Sequence, residues 1–131
     1  MQHLPATLAL LALARLASAD GPVVNNANFL EWDHELASAA ETEEYRVYCD
    51  RSSGVVADPA KLVATVPRPA LPTSGDLTAS WPINGVPQGQ WRCVVTAYDA
   101  DANIESAVSN EVPFVIFAAP SNLRVRDDDG M

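Results

Sequence analysis

The sequence predicts an all-β protein, a seven-stranded antiparallel β-sandwich. Three observations carry that prediction. About seven short runs, alternating or rich in β-branched residues, fill roughly 100 residues and are separated by turn residues. Ten prolines and six glycines in 131 residues supply those turns. No glycine-rich phosphate loop occurs, and no helical stretch is long enough for the crossover that a parallel sheet requires.

Taken in order, Val23-Val24 is a brief first strand. Asn28 to Trp32 alternates, with Leu30 and Trp32 on one face and Glu31 on the other. Asp33 to Glu44 is polar and rich in Ala and Glu, which predicts a loop with a helical turn around Ser38 to Glu43. Tyr45 to Cys49 alternates again, and Asp50 to Gly54 turns the chain. Lys61 to Val66 is a strand stopped by Pro67 and Pro69. Leu77 to Ile83 is a strand broken at Pro82, and Gly85 to Gly89 is a turn. Trp91 to Asp99 is the longest β-branched run, Asp99 to Glu105 a polar turn, and Val108 to Phe117 the last strand.

Charge narrows the function classes. With 17 acidic and 8 basic side chains the formal net charge is −9. Nucleic acid and anionic membrane surfaces call for a basic patch, so neither is an expected partner. A chain that is 48% apolar and 19% charged is no disordered acidic tail.

Leu8 to Leu16 is an apolar run followed by Ala17-Ser18-Ala19, small residues at the spacing of a signal-peptidase site. Residues 1–19 therefore read as a signal peptide cleaved after Ala19, and the run is too short to span a bilayer. Arg15 interrupts the run and no Lys or Arg precedes it, so a short amphipathic N-terminal helix is the alternative. Export implies a secreted or periplasmic protein with no membrane insertion after cleavage. Behind a signal, the even pair Cys49 and Cys93 reads as one disulfide; without export, as two buried thiols.

Five pieces carry a family resemblance. They are Leu30-Glu31-Trp32-Asp33, Tyr45-Arg46-Val47-Tyr48, Gly85-Val86-Pro87-Gln88-Gly89-Gln90-Trp91, Val95-Thr96-Ala97-Tyr98-Asp99, and Glu105-Ser106 followed by Ser109-Asn110-Glu111-Val112. In this order and spacing the chain resembles a fibronectin type III domain, immunoglobulin-like in architecture. It is similar to small exported or phage-encoded microbial versions. The pieces look like that family's strand B tryptophan, strand C, E–F corner, strand F and strand G. Trp91 stands where the family has a tyrosine, and an indole N–H can donate one hydrogen bond there. The usual first strand is poorly matched between Asp20 and Ala27. No Arg-Gly-Asp triplet supports integrin-type adhesion. The resemblance implies a domain over residues 20–118. It also implies a tail over 119–131 in which Pro120 and Leu123 look like the opening strand of a further domain.

The resemblance makes strands C and F antiparallel neighbours. Tyr45, Val47 and Cys49 share a face, as do Cys93, Val95 and Ala97. An antiparallel register keeps the paired residue numbers at a constant sum. Pairing Tyr45 with Ala97, Val47 with Val95 and Cys49 with Cys93 satisfies that rule. The cysteines then oppose each other within disulfide range.

Candidate chemical sites are few. His34 would have to serve any Ser-His-Asp arrangement, which needs a positioned, buried partner; the expectation is a solvated loop histidine. Lys61 is the single lysine. The segment Asp99-Ala100-Asp101-Ala102-Asn103-Ile104-Glu105 places oxygen ligands at alternate positions. Asp99, Asp101, Asn103 and Glu105 are thus the calcium candidate, against a plain turn whose Asp and Asn satisfy their own backbone. Ile104 stands where a calcium loop has its glycine, and no metal is expected as a cofactor. Glu41, Glu43 and Glu44 could mimic a glycosidase carboxylate pair but read as a solvated run. Trp32, Tyr45 and Trp91 fit core positions; Trp81 either caps the core or stands exposed as a binding platform.

The expected function is a non-catalytic, exported β-sandwich module for binding or structural attachment to a protein or glycan partner. One alternative is a virion or cell-surface assembly component that uses residues 119–131 for self-association. In that case the tail is a strand lent to another subunit. A domain remnant and an extension packed on its own sandwich are the other readings of the tail. Another alternative for the whole chain is a carbohydrate-targeting accessory of a hydrolase, with Trp81 as its platform.

Overall fold

In the computed structural model, residues 21–83 and 85–127 are described. The predicted signal, its cleavage point and the last four residues of the tail lie outside them. The described chain is all-β with one short helix. Its strands are β1 (Val23–Val24), β2 (Phe29–His34), β3 (Glu44–Asp50), β4 (Leu62–Pro67), β5 (Leu77–Pro82), β6 (Gly89–Asp99), β7 (Ile104–Glu105) and β8 (Val112–Ile116). Helix α1 (Leu36–Ala40) follows β2, and a single 3-10 turn, Pro59–Lys61, precedes β4.

The strands form two sheets. The larger runs β1-β8-β6-β3-β4 with β7 on the edge of β6; the smaller is β2-β5. Every pairing is antiparallel except β1 with β8. The register between β3 and β6 is the one expected: Tyr45↔Ala97, Val47↔Val95 and Cys49↔Cys93. The cysteines form a disulfide, with Cα atoms 4.1 Å apart. The bridge lies within one sheet and cross-links its two central strands.

The facing sides of the sheets make the core. Val47, Cys49, Cys93, Phe114 and Ile116 from the larger sheet meet Trp81 and Ile83 from the chain of β5. Alternation explains why: Leu77, Ala79 and Trp81 are all buried, with Thr78 and Ser80 exposed between them. A second cluster joins Tyr45, Leu77 and Ala79 to Ala39, the one buried residue of α1. A third lies on the outer face of the larger sheet, where Val55 covers Tyr48 and Val94. Glu111 holds the covering loop in place by accepting the backbone N–H groups of Gly54 and Val55, both at 2.9 Å.

Several boundaries differ from the sequence reading. There are eight strands among the described residues, because the polar turn ends in β7. Strand β2 runs on through Asp33 to His34, so these are not loop residues. The helix starts two residues earlier than Ser38, since Leu36 and Ala39 give it an inward face. The last strand is shorter than Val108–Phe117 because residues 106–111 pair with β6 irregularly, as described next.

Candidate functional site

Strand β2 has β5 on one side and, among the described residues, no strand on the other. Its burial alternates, with Leu30, Trp32 and His34 half-buried and Phe29, Glu31 and Asp33 exposed. Across from that free edge lie β1, β8 and the segment leading into β8. The gap between the sheets is therefore open along the length of β2, and three hollows fill it. The first, of about 410 Å³, opens beside Phe29 and Leu30 and reaches Phe114 and Val24. Trp32, Val95 and Ser109 also line the second, of about 210 Å³, which reaches Tyr45. His34, Ala97 and Ser106 carry the groove on into the third, of about 260 Å³, beside Asp99 and Ile104. The groove is apolar at the β2 start and more polar at its end.

Residues 105–112 build the far wall, and their polar side chains explain why the ladder is irregular there. Five residue steps on β6, from Cys93 to Tyr98, are spanned by seven on the partner, from Glu105 to Val112. The surplus residues displace backbone acceptors, and serine hydroxyls replace them. Ser106 Oγ accepts from Ala97 N–H and Ser109 Oγ from Val95 N–H, each at 2.9 Å. The backbone N–H groups of the same serines donate to the carbonyls of the same two residues, at 2.8 and 2.9 Å. Each serine thus answers both polar groups of one β6 residue, which satisfies a bulged ladder without a regular strand. The hydroxyl protons go to the carbonyls of Ala107 and Asn110.

Glu105 anchors this wall from the other face of the sheet. Its carboxylate accepts from Thr96 Oγ1 at 2.6 Å and from the Tyr48 hydroxyl, and it lies 3.4 Å from Arg46. Arg46 also donates to Glu44 at 2.8 Å and stacks over the Tyr98 ring. Burial pushes the Glu105 carboxyl up. The hydrogen bonds from Thr96 and Tyr48 and the Arg46 charge outweigh it and hold the group below its usual range. Burial, then the bond to Glu105, pushes the Tyr48 phenol up.

The calcium candidates are therefore not brought together. Asp99 accepts from Ala102 N–H, and Asn103 accepts from the Tyr98 hydroxyl while adopting the left-handed region at φ 56°. Asp101 is exposed, and Glu105 is occupied as described. Among the described residues no three His, Cys, Asp or Glu side chains form a metal-holding group. The segment is a turn of the kind in which Asp and Asn satisfy nearby polar groups.

The other sequence candidates have definite places. Trp81 is only 9% exposed and belongs to the core, so it offers no platform. His34 is no solvated loop residue: its Nδ1 lies 2.9 Å from the Tyr45 hydroxyl, and the two rings meet edge to face. Burial pushes the Tyr45 phenol up, and the Arg68 charge opposes that. Lys61 pairs with Asp50 at 2.9 Å on the surface. Trp91 does what the sequence suggested for an indole at a corner: Nε1 donates to the Pro87 carbonyl at 2.8 Å. The Arg51 guanidinium lies over the Trp91 ring, 3.9 Å from its centroid, and donates to the carbonyls of Gln88 and Gln90. The tail leaves β8 after Phe117 N–H donates to the Val24 carbonyl, and from Ser121 onward every described residue is exposed.

The chain matches no family model, no curated protein and no solved structure. Sequence reasoning missed the groove and the two serines of its wall. The signal for the serines is present in Glu105-Ser106 and Ser109-Asn110-Glu111, the last piece of the family resemblance.

Proposed function

We propose that this is an exported, non-catalytic binding module with a fibronectin type III-like, immunoglobulin-like sandwich, working through a sheet edge. The observation that carries the reading is the groove along β2. Among the described residues, it combines an apolar floor with a sheet edge that no strand pairs, the two features by which sheet edges recognise extended chains. Support for the fold comes from the strand order, in which β3 lies between β4 and β6 and β2 pairs with β5. The Trp91–Pro87 bond adds support, as a corner made by an indole in place of a phenol. A disulfide accords with an oxidising compartment, and thus with secretion or the periplasm. No helix among the described residues is long and apolar enough to cross a membrane.

A second reading, a virion or cell-surface assembly component, is favoured by one observation: Leu123 and Val125 in the tail are 100% and 95% exposed. The carbohydrate-accessory reading relied on Trp81, and its burial removes that support. Exported protein screened against ester and glycoside substrates should show no turnover. Hydrolysis that is lost in His34→Ala would overturn the module reading. A glycan array giving saturable binding would restore the carbohydrate reading by some other surface.

A further inference from the structure

We propose that the groove along β2 is filled by the C-terminal arm of a second copy of this chain, through residues 122–127. This deepens the module reading by naming the partner. The arm has the pattern of a strand with one apolar face, Leu123-Arg124-Val125-Arg126. Both apolar side chains are almost wholly exposed. Pro120 and Asn122, the latter at φ 59°, separate it from β8 and leave it standing away from its own body. Among the described residues, a chain that leaves its arm outside its own groove presents one donor strand and one acceptor edge, neither paired with a strand. Two such chains satisfy each other reciprocally, which closes a symmetric dimer.

Charge complementarity selects this occupant. The exposed face of β2 carries Glu31 and Asp33, and Asp33 accepts from Thr78 on that same outer side. The arm alternates in the same period with opposite sign. When Leu123 and Val125 point into the groove beside Leu30, Trp32 or His34, Arg124 and Arg126 face outward beside Glu31 and Asp33. This holds in either strand direction, because both strands alternate with period two. In a chain of net charge −9, a basic pair at that spacing is distinctive. Length agrees as well: β2 has six residues and so has the described arm from Asn122 to Asp127, whose inward period ends on Asp127, at the polar His34 end of the groove when the two strands run parallel. The indole Nε1 of Trp32, at the middle of the groove, is buried with no acceptor among the described residues.

The test is light scattering of the full exported chain over a concentration series, with charge-swapped variants. A dimer is expected. Leu123→Asp with Val125→Asp should weaken it about a hundredfold, since charged groups would enter an apolar groove. Glu31→Arg with Asp33→Arg should be monomeric, and so should Arg124→Glu with Arg126→Glu. An equimolar mixture of those two variants should recover the dimer, because each arm then meets a groove of opposite charge. These positions are exposed, and unchanged melts of the isolated variants would show that they fold. A wild-type chain that stays monomeric overturns the proposal. So does a dimer insensitive to the arm substitutions, or a monomer whose stability drops in Leu123→Asp, which would put the arm on its own groove. None of these results touches the module reading, which falls instead on enzymatic turnover dependent on His34.

Discussion

Replacing Glu105 tests the internal logic of the sheet. In Glu105→Ala the hydroxyls of Tyr48 and Thr96 lose a shared acceptor. Both residues are buried, at 3% and 2% exposure, so water reaches them poorly. An unsatisfied buried hydroxyl costs about 1–3 kcal/mol. The Arg46 pair adds no more than about 1 kcal/mol, being partly solvated. Two hydroxyls at the low end, with that pair, give an expected loss of about 2–3 kcal/mol, or roughly 10–20 °C in a domain of this size. Glu105→Gln keeps one acceptor and should lose about half as much. A double-mutant cycle with Tyr48→Phe should give a coupling of about 1 kcal/mol. The pH dependence follows from the sign of the shift. A carboxyl held below its ordinary value contributes stability that is full above pH 4.5 and is lost as pH falls through the lowered value. The wild type should therefore show an acid limb that Glu105→Gln lacks. Urea melts across pH measure all of this. A change in Glu105→Ala smaller than about 0.5 kcal/mol, or stabilisation of the wild type by calcium that vanishes in Glu105→Gln, would refute the assignment of Glu105 as a structural acceptor.

Three other predictions are direct. Replacing both Cys49 and Cys93 by Ser should cost about 2–4 kcal/mol, since the bridge closes a loop of 44 residues, and non-reducing peptide mapping should recover the linked pair. Trp91→Phe should cost about 1–2 kcal/mol by removing the Nε1–H bond to Pro87 and some packing, read by thermal melts. Deleting residues 119–131 should leave a folded monomer whose melt lies within about 0.5 kcal/mol of that of the full chain diluted until it too is monomeric, because that segment is exposed wherever it is described.

Much of the fold was legible because alternation reports faces. With the two strands made neighbours by the resemblance, Tyr45, Val47 and Cys49 on one and Cys93, Val95 and Ala97 on the other give a register that opposes the cysteines. The same rule could have settled Trp81, which follows Leu77 and Ala79 at period two. It could also have settled His34, which continues the face of Leu30 and Trp32. Asp33 and His34 belong to β2 and not to a loop because a strand's inward period outlasts its apolar residues. Asp99 to Glu105 misled for a different reason. Oxygen groups at alternate positions serve a cation and a tight turn equally well in one dimension. Only the placement of Tyr48, Thr96 and Arg46 shows that Glu105 is already satisfied.

What alternation does not report is edges. A strand buried on one face looks the same in sequence whether it has two neighbours or one, so the free side of β2 left no mark in residues 29–34. Its counterpart left a mark only as an oddity, a strand-like arm beyond a completed strand. The geometry relates the two. The larger sheet closes one side with β8 and β1, while the serines of the bulged segment satisfy the wall and keep it from offering a rival edge. That leaves β2 as the groove's open backbone edge. An acidic chain that ties carboxylates such as Glu105 and Glu111 into its own hydrogen bonds leaves Glu31 and Asp33 outward on that strand. Charge at this place therefore acts on whatever approaches the edge, which is why swapping its sign probes recognition more directly than truncating the arm.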